Sequence, residues 1–333
     1  MKFNKIVARV IILMAVVLPI QSWANEAKGI SYEKHPEALK LIDEMVVEHA
    51  FDRQVLLDVF AQAQFKESII QLMDAPAEGK PWKDYRPIFV TAKRAKGGRE
   101  FMASHRETLL RAEQKFGVPA EIIVAIIGVE TRYGKHAGRT RVLDALSTLA
   151  FDYPRRSTFF RKELKAFLLL TRDEQMNPQS LKGSYAGAMG YGQFMPSSFL
   201  EYAIDFDGDG RKDIWQNPVD AIGSVANYFA RHGWKNNEQV VSRARFSGNG
   251  NDVTWVKGRR NLKPVSSVSQ LIALGLQPQS EIDAEQLATA MRLTGPKGKE
   301  YWLGLHNFYV ITRYNHSALY AMSVYQLSQK IAK

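Results

Sequence analysis

Along most of the chain the apolar residues return every three to four positions, the spacing of helices with one face in a core. Ala38, Leu41, Ile42, Met45 and Val46 form one such stripe, and Val55, Leu56, Val59, Phe60 and Ala63 continue it, so 36–75 is predicted helical. Ala75-Pro-Ala-Glu-Gly-Lys-Pro81 breaks the pattern with proline and glycine. A second, heavily charged helical region runs from Ile88 to Phe116 and stops at Gly117, a residue suited to ending a helix. Pro119 suits the first turn of the next helix, and further helices are predicted over 142–150, 157–171 and 218–232. After Trp234 the texture changes. Val240–Phe246, Val253–Val256 and Leu303–Ile311 favour strands, with turn signals at Gly248-Asn-Gly250 and Gly258-Arg-Arg260. Tyr314–Ile331 returns to helix. No repeat or low-complexity tract interrupts this order.

The expected class is mainly α (α+β). The divisions are an N-terminal helical region (25–117), a core (118–235), a small inserted β-rich unit (236–302) and a C-terminal strand and helix (303–333) returning to the core. Residues 1–24 are set apart as a signal peptide. Lys2, Lys5 and Arg9 form a basic start, Val10–Ile20 is apolar but too short to span a bilayer, and Ser22-Trp-Ala24 offers a small-x-small cleavage site. The alternative for this segment is a retained membrane anchor.

There is no cysteine, which excludes disulfides, thiolate metal sites, a cysteine nucleophile and a lipid-modified cysteine anchor. The expected address is the periplasm. Removing the leader lowers the formal charge from +11 to +8. A basic exported protein suits an anionic polymer such as a cell wall bearing carboxylate peptides; export and the lack of a binding motif argue against nucleic acid.

Four segments carry candidate chemistry. In Val124-Ala-Ile-Ile-Gly-Val-Glu130-Thr-Arg-Tyr-Gly134 one carboxyl shares a helix face with Ile122, Ile126 and Val129. Such a carboxyl is costly to ionise, so its pKa is expected above about 4.3. A carboxylic acid protonated near neutrality can donate to a glycosidic oxygen. The plain alternative is a helix-terminal glutamate paired with Arg132 or another cation. In Ser184–Ser198, glycines alternate with Tyr185, Tyr191 and Phe194, flat faces for sugars, while Ser184 and Gln193 offer polar arms. No Gly-Lys-Ser/Thr follows, so a nucleotide loop is not indicated. In Asp205-Phe-Asp207-Gly-Asp209-Gly210-Arg211-Lys-Asp213 the acids stand at positions 1, 3, 5 and 9 with glycine at 6, the spacing of an EF-hand calcium loop with Arg211 ligating through its carbonyl. Gln216 occupies position 12, where a bidentate glutamate is usual, and Asp220 at position 16 is a candidate to close a longer loop. The alternative is an acidic surface turn without metal. In Thr312–Tyr320, Tyr314 and Tyr320 frame a groove only if the helix starts after Tyr314, and His316 has no Ser-His-Asp or zinc spacing around it.

Taken in order, Gly128–Gly134, Tyr153-Pro-Arg-Arg156, Gly187–Ser197, Asp205–Gly210, Pro218–Phe229 and Arg313-Tyr-Asn-His316 closely resemble the lytic murein transglycosylase B family, glycoside hydrolase family 103, over nearly all of the mature chain. The resemblance implies a lysozyme-like helical core, an additional helical part, a small β domain and a structural calcium in the EF-hand loop. It implies cleavage of the β-1,4 bond between N-acetylmuramic acid and N-acetylglucosamine, with the muramic C6 hydroxyl attacking C1 to leave a 1,6-anhydro end. By motif, Glu130 is the catalytic acid/base. Ser184, Gln193, Tyr228, Tyr314, Asn315 and Tyr320 line the groove, and Arg155 and Arg156 lie near bound glycan or peptide. The expected partners are peptidoglycan strands and cell-wall synthesis proteins; the expected state is a monomer with no organic cofactor. Two departures from the pattern are the absent lipidated cysteine and Phe159 in place of a tyrosine after the paired arginines. The rival readings are a hydrolytic muramidase, which needs a second carboxylate about 5–9.5 Å from Glu130, and a non-catalytic peptidoglycan-binding scaffold.

Overall fold

The computed structural model describes residues 31–74 and 80–333. The signal peptide (1–24) and most of the Ala75–Pro81 break lie outside the described residues.

The stripe over 36–75 resolves into three helices, α1 (Pro36–His49), α2 (Arg53–Gln62) and α3 (Glu67–Asp74). Ala50 ends α1 in the left-handed region at φ 54°, and the Asp52 side chain then accepts from the Val55 N–H to start α2. The charged stretch likewise divides into α4 (Trp82–Phe89), α5 (Ala92–Ser104) and α6 (Arg106–Phe116), with Thr91 capping α5 and Gly117 at φ 69° ending α6. Asp52 and Thr91 are short polar residues whose side-chain oxygens satisfy free N–H groups at the helix starts.

At the centre is α7 (Ala120–Thr131). Every residue from Ile122 to Val129 is buried, so this helix has no solvent face. It packs against α5, α6, α11 (Pro218–Arg231) and α14 (Ala318–Ile331). Around this group lie α8 (Val142–Phe151), α9 (Ser157–Asp173) and α10 (Pro196–Tyr202), and a two-stranded ladder of β1 (Thr140–Arg141) and β2 (Lys182–Gly183).

A five-stranded antiparallel sheet follows, in the order β4-β6-β7-β3-β5. Its strands are β3 (Val241–Phe246), β4 (Ser266–Ser267), β5 (Leu276–Pro278), β6 (Leu287–Gly295) and β7 (Gly298–Gly304), with the short helix α12 (Val268–Ala273) between β4 and β5. The sheet has a core of its own, including Trp255, Leu271, Leu276, Ala290 and Leu303.

Three sequence expectations change. The strand over Leu303–Ile311 holds only to Gly304; from His306 the chain is helix α13 (His306–Tyr314). Phe308, Val310, Ile311 and Thr312 are all buried there, and packing on most sides overrides the strand preference of β-branched and aromatic residues. The C-terminal helix begins at Ala318 rather than Tyr314, after the Ser317 side chain caps it. Val253–Val256 forms a single bridge, Trp255 to Ala290, and the long strand β6 lies instead in the helix-favouring run Leu-Ala-Thr-Ala-Met.

Candidate active site

Glu130 is the penultimate residue of α7. The helix ends abruptly because Arg132, Tyr133 and Gly134 all take positive φ (51°, 64° and 83°). Two of these are not glycine, so surrounding contacts must hold the turn. Arg94 supplies them from α5: its guanidinium donates to the carbonyls of Gly128, Val129 and Ile88. The Tyr133 hydroxyl in turn donates to the Arg94 carbonyl at 2.7 Å. Tyr133 lies so close over α7 that a Cβ on Gly128 would fall 2.6 Å from its hydroxyl oxygen. Thr131 Oγ1 lies 2.9 Å from the Tyr191 carbonyl and accepts the Gly134 N–H at 3.0 Å, tying the glycine-rich loop to the end of α7.

Glu130 is only partly accessible, and its partner is a phenol rather than a cation. The Tyr320 hydroxyl, from α14, donates to Glu130 Oε1 at 2.5 Å. Arg132 is exposed and has no ion pair among the described residues, which removes the helix-end salt bridge as the reading. Burial raises the Glu130 pKa from 4.5 to about 7, with the Tyr320 hydrogen bond pulling the other way. Burial and then the Glu130 charge push the phenols of Tyr320 and Tyr314 well above their ordinary range, so both stay neutral donors.

A second layer of aromatic residues fixes this pair. The Tyr314 hydroxyl donates to the Gly192 carbonyl at 2.5 Å, and a Cβ on Gly192 would fall 2.7 Å from that oxygen. The Tyr228 ring stands edge-on to Tyr314 with centroids 4.7 Å apart, and its hydroxyl donates to the Arg313 carbonyl at 2.7 Å. Gln193 sits at φ 51° and spends its amide on the carbonyls of Ala137 and Gly190. Tyr191 packs against Gly134, and Ser184 Oγ accepts the Ala188 N–H to shape the loop. Asn315, exposed after α13, lines a cavity of about 330 Å³ with Ser317 and Arg259.

The paired arginines are anchored elsewhere. Arg155 pairs with Asp74 at 3.2 Å, and Arg156 lies 4.5 Å from the Phe159 ring and 5.0 Å from the Phe160 ring. His316 accepts from Arg313 at 3.0 Å rather than joining a carboxylate. Sequence reading missed Arg94, which nothing in its charged surroundings distinguished, and Thr131, whose place beside Glu130 was a signal.

The acidic loop runs between α10 and α11. Asp205, Asp207 and Asp209 each bring a carboxylate oxygen within 4.8 Å of the others. Gly208 and Gly210, at φ 84° and 89°, give the loop its curvature. Asp205 accepts the N–H groups of Gly210 and Gly208, which hold its carboxyl below the ordinary range. Asp213 accepts from Trp215 and Gln216, and buried Asp220 accepts from Phe206 and Asp213, bracing both ends of the loop. Three oxygens converging across a glycine turn suit a hard cation of calcium's size. The Arg211 carbonyl is the fourth candidate, while Asp213 and Asp220 sit bonded to backbone.

Comparison with known proteins agrees with this architecture. The transglycosylase SLT domain matches residues 33–329. The chain is 50% identical to the membrane-bound lytic murein transglycosylase B of Escherichia coli K12 over 314 residues, 91% of this chain and 85% of that protein. The catenated lytic transglycosylase SltB1 from Pseudomonas aeruginosa superposes with a TM-score of 0.87 at 52% identity, covering 90% of this chain and 98% of that one. The Escherichia coli lytic transglycosylase Slt35 in complex with calcium superposes with a TM-score of 0.84 at 48% identity, covering 93% and 97%. The helical core built around α7 is therefore lysozyme-like, and the chain belongs to the SLT transglycosylases, in the lytic murein transglycosylase B family.

Proposed function

We propose that Glu130 is the single acid/base with which this lytic murein transglycosylase cleaves the β-1,4 bond between N-acetylmuramic acid and N-acetylglucosamine. One observation carries the reading: a carboxyl lifted to about 7 by burial, bonded to a neutral phenol and, among the described residues, to no other ionisable group. Protonated, it donates to the leaving glycosidic oxygen. As carboxylate, steadied by Tyr320, it accepts the proton of the muramic C6 hydroxyl, whose oxygen attacks C1 to close the 1,6-anhydro ring. The substrate supplies its own nucleophile, so no second protein carboxylate is required, in contrast to two-carboxylate glycosidases. Tyr228, Tyr314 and Tyr191 wall the site, with Gln193 and Ser184 shaping the loop opposite and Asn315 at its open end.

Calcium would be held by Asp205, Asp207, Asp209 and the Arg211 carbonyl, with Asp213 and Asp220 bracing the loop. It would supply cohesion between α10 and α11. The ligand is the glycan strand of peptidoglycan, and the +8 charge of the mature chain favours that anionic wall. The signal segment and the lack of cysteine support export to the periplasm without a lipid anchor; no helix among the described residues is long and apolar enough to cross a membrane.

The test is mass spectrometry of muropeptides released from purified sacculi. Anhydro ends are expected with wild type and none with Glu130→Gln, a loss of about 10²–10⁴-fold or more. Products heavier by one water would show hydrolysis, and wild-type lysis by the variant would remove Glu130 from its role.

A further inference from the structure

Helix α9 carries a buried carboxyl that the cleavage reaction leaves unused. Glu163 falls in the stripe Phe160, Glu163, Leu164 and Phe167, at i, i+3, i+4 and i+7, and it is 4% exposed. A carboxylate in that place is costly unless it is paired or fully hydrogen-bonded. Buried Asp144 has Arg141 as its ion pair. Glu163 belongs to no ion pair among the described residues, and the cations beside it on α9, Arg161 and Lys165, pair with Glu37, Glu44 and Glu48 on α1. Both Glu163 oxygens go instead to one residue. Ser197 donates its backbone N–H to Oε2 at 2.9 Å and its hydroxyl to Oε1 at 2.7 Å.

Ser197 stands at the exit of the glycine-rich loop. Met189 and Phe194, both buried, close the base of that loop by exchanging N–H to carbonyl hydrogen bonds at 2.8 and 2.9 Å. The turn between them, Gly190–Gln193, carries Tyr191 and Gln193. Ser197 then lies in the first turn of α10, whose N-cap, Met195, makes no side-chain hydrogen bond to the helix. Glu163 therefore satisfies one of the free N–H groups of α10 from a different helix, and fastens the loop exit to α9.

The loop is gripped from its other side as well. The Tyr191 N–H donates to the Ile214 carbonyl at 2.9 Å, and the Trp215 indole donates to the Lys182 carbonyl at 3.1 Å. Gln193, at φ 51°, needs such fastening, because a non-glycine residue keeps that conformation only where its surroundings impose it. A loop already fixed in shape loses less freedom when a ligand settles on it, and binding is tighter for that reason.

We propose that Glu163 is a positioning residue for glycan binding: through Ser197 it holds the glycine-rich loop in the shape that receives the strand. It acts from behind the loop and touches neither the strand nor the reacting atoms. The inference rests on the reading of that loop as a wall of the cleavage site.

The test uses the mature chain with Glu163→Gln, with Ser197→Ala, with the two combined, and with Ser197→Thr. Glu163→Gln keeps the shape but loses the charge and one acceptor oxygen. KM for soluble glycan strands should rise on the order of tenfold, the loss of one charge-assisted hydrogen bond. The dissociation constant of a chitin tetrasaccharide, titrated calorimetrically, should rise alike. The kcat should be nearly unchanged and the alkaline limb should stay near pH 7, because burial and Tyr320 set the Glu130 pKa. Ser197→Ala should weaken binding too, and the combination no more than Glu163→Gln alone, since both act through one contact. Ser197→Thr keeps both donors and should match wild type. Hydrogen exchange should quicken over 184–197 and not elsewhere.

Wild-type KM and tetrasaccharide binding by Glu163→Gln, a fall in kcat with KM unchanged, or additive losses in the combination would each overturn the proposal. Exchange that quickens throughout the chain would overturn it too, because it marks a general loss of stability. Ser197 is exposed, so Ser197→Ala tests the contact even if Glu163→Gln does not fold; wild-type binding by that variant would also overturn it. If the wild type forms no anhydro ends yet tetrasaccharide binding depends on Glu163 and Ser197, the cleavage reading falls and the positioning role stands.

Discussion

Replacing Tyr320 by phenylalanine isolates what sets the acidity of Glu130. In the structure burial raises that pKa to about 7, and the Tyr320 hydroxyl, 2.5 Å from Oε1, holds it below where burial alone would place it. Removing the hydroxyl deletes a donor to the charged form and leaves the site more apolar, so both effects act upward. A hydrogen bond to a charged group is worth about 1.5–3 kcal/mol, and one pKa unit corresponds to about 1.36 kcal/mol. The shift should therefore be about one to two units upward. The free enzyme must hold Glu130 protonated to donate to the leaving oxygen, so kcat/KM falls as pH rises through this pKa. Wild type should lose activity through about pH 7. Tyr320→Phe should keep its plateau one to two units further, at a lower plateau rate because the carboxylate formed in the first step has lost its donor. The assay is the pH profile of kcat/KM for soluble glycan strands, with folding checked by circular dichroism at each pH. An alkaline limb that stays put or moves down would refute the reasoning, since no account of Tyr320 as donor to Glu130 survives it.

Three further outcomes follow from the same geometry. The Glu130 pKa rises on folding from 4.5 to about 7, so the folded chain binds an extra proton in that window and loses stability as pH climbs through it. Glu130→Gln should match wild type in thermal denaturation at pH 4 and exceed it at pH 8, by at most about 3 kcal/mol; equal stability at both pH values would contradict the shift. Arg94→Ala should cost about 1–3 kcal/mol in urea unfolding by stripping donors from the end of α7, and lower kcat more than it raises KM; Arg94→Lys should recover little, because one ammonium cannot reproduce the fork that reaches three carbonyls. Adding calcium to chelator-treated protein should raise the melting temperature, by the equivalent of about 2.7 kcal/mol at a hundredfold excess over Kd, and Asp209→Asn should weaken that response; an unchanged melting curve at millimolar calcium would argue against the loop as a cation site.

How far the sequence reaches depends on whether a residue's role is set locally. The acidic loop is legible because its acids are spaced by the backbone that brings them together, and the structure duly groups Asp205, Asp207 and Asp209. Glu130 is legible for a similar reason: helical spacing alone puts it among aliphatic residues, which is also what raises its pKa. Tyr314 and Tyr320 stand at the border. Their role depends on a helix break between them, which the sequence posed as a condition and the Ser317 cap supplies. What stays hidden comes from distant chain. Arg94 looks like one more charge on a charged helix until α5 is laid against α7, where it meets the carbonyls of Gly128 and Val129, which no sequence spacing predicts. The same holds for Ala50, Arg132, Tyr133 and Gln193, non-glycine residues at positive φ, a conformation their own side chains disfavour and only surrounding contacts maintain. The misread segment Leu303–Ile311 makes the point from the other direction. Its residues prefer strands when one face is wet, but α13 is buried on most sides, and once both faces are apolar the two-residue and three-to-four-residue periods cannot be told apart. The carboxyl proposed as catalytic can thus be picked out from the chain that carries it, whereas the residues that hold it in place can be found only from the fold.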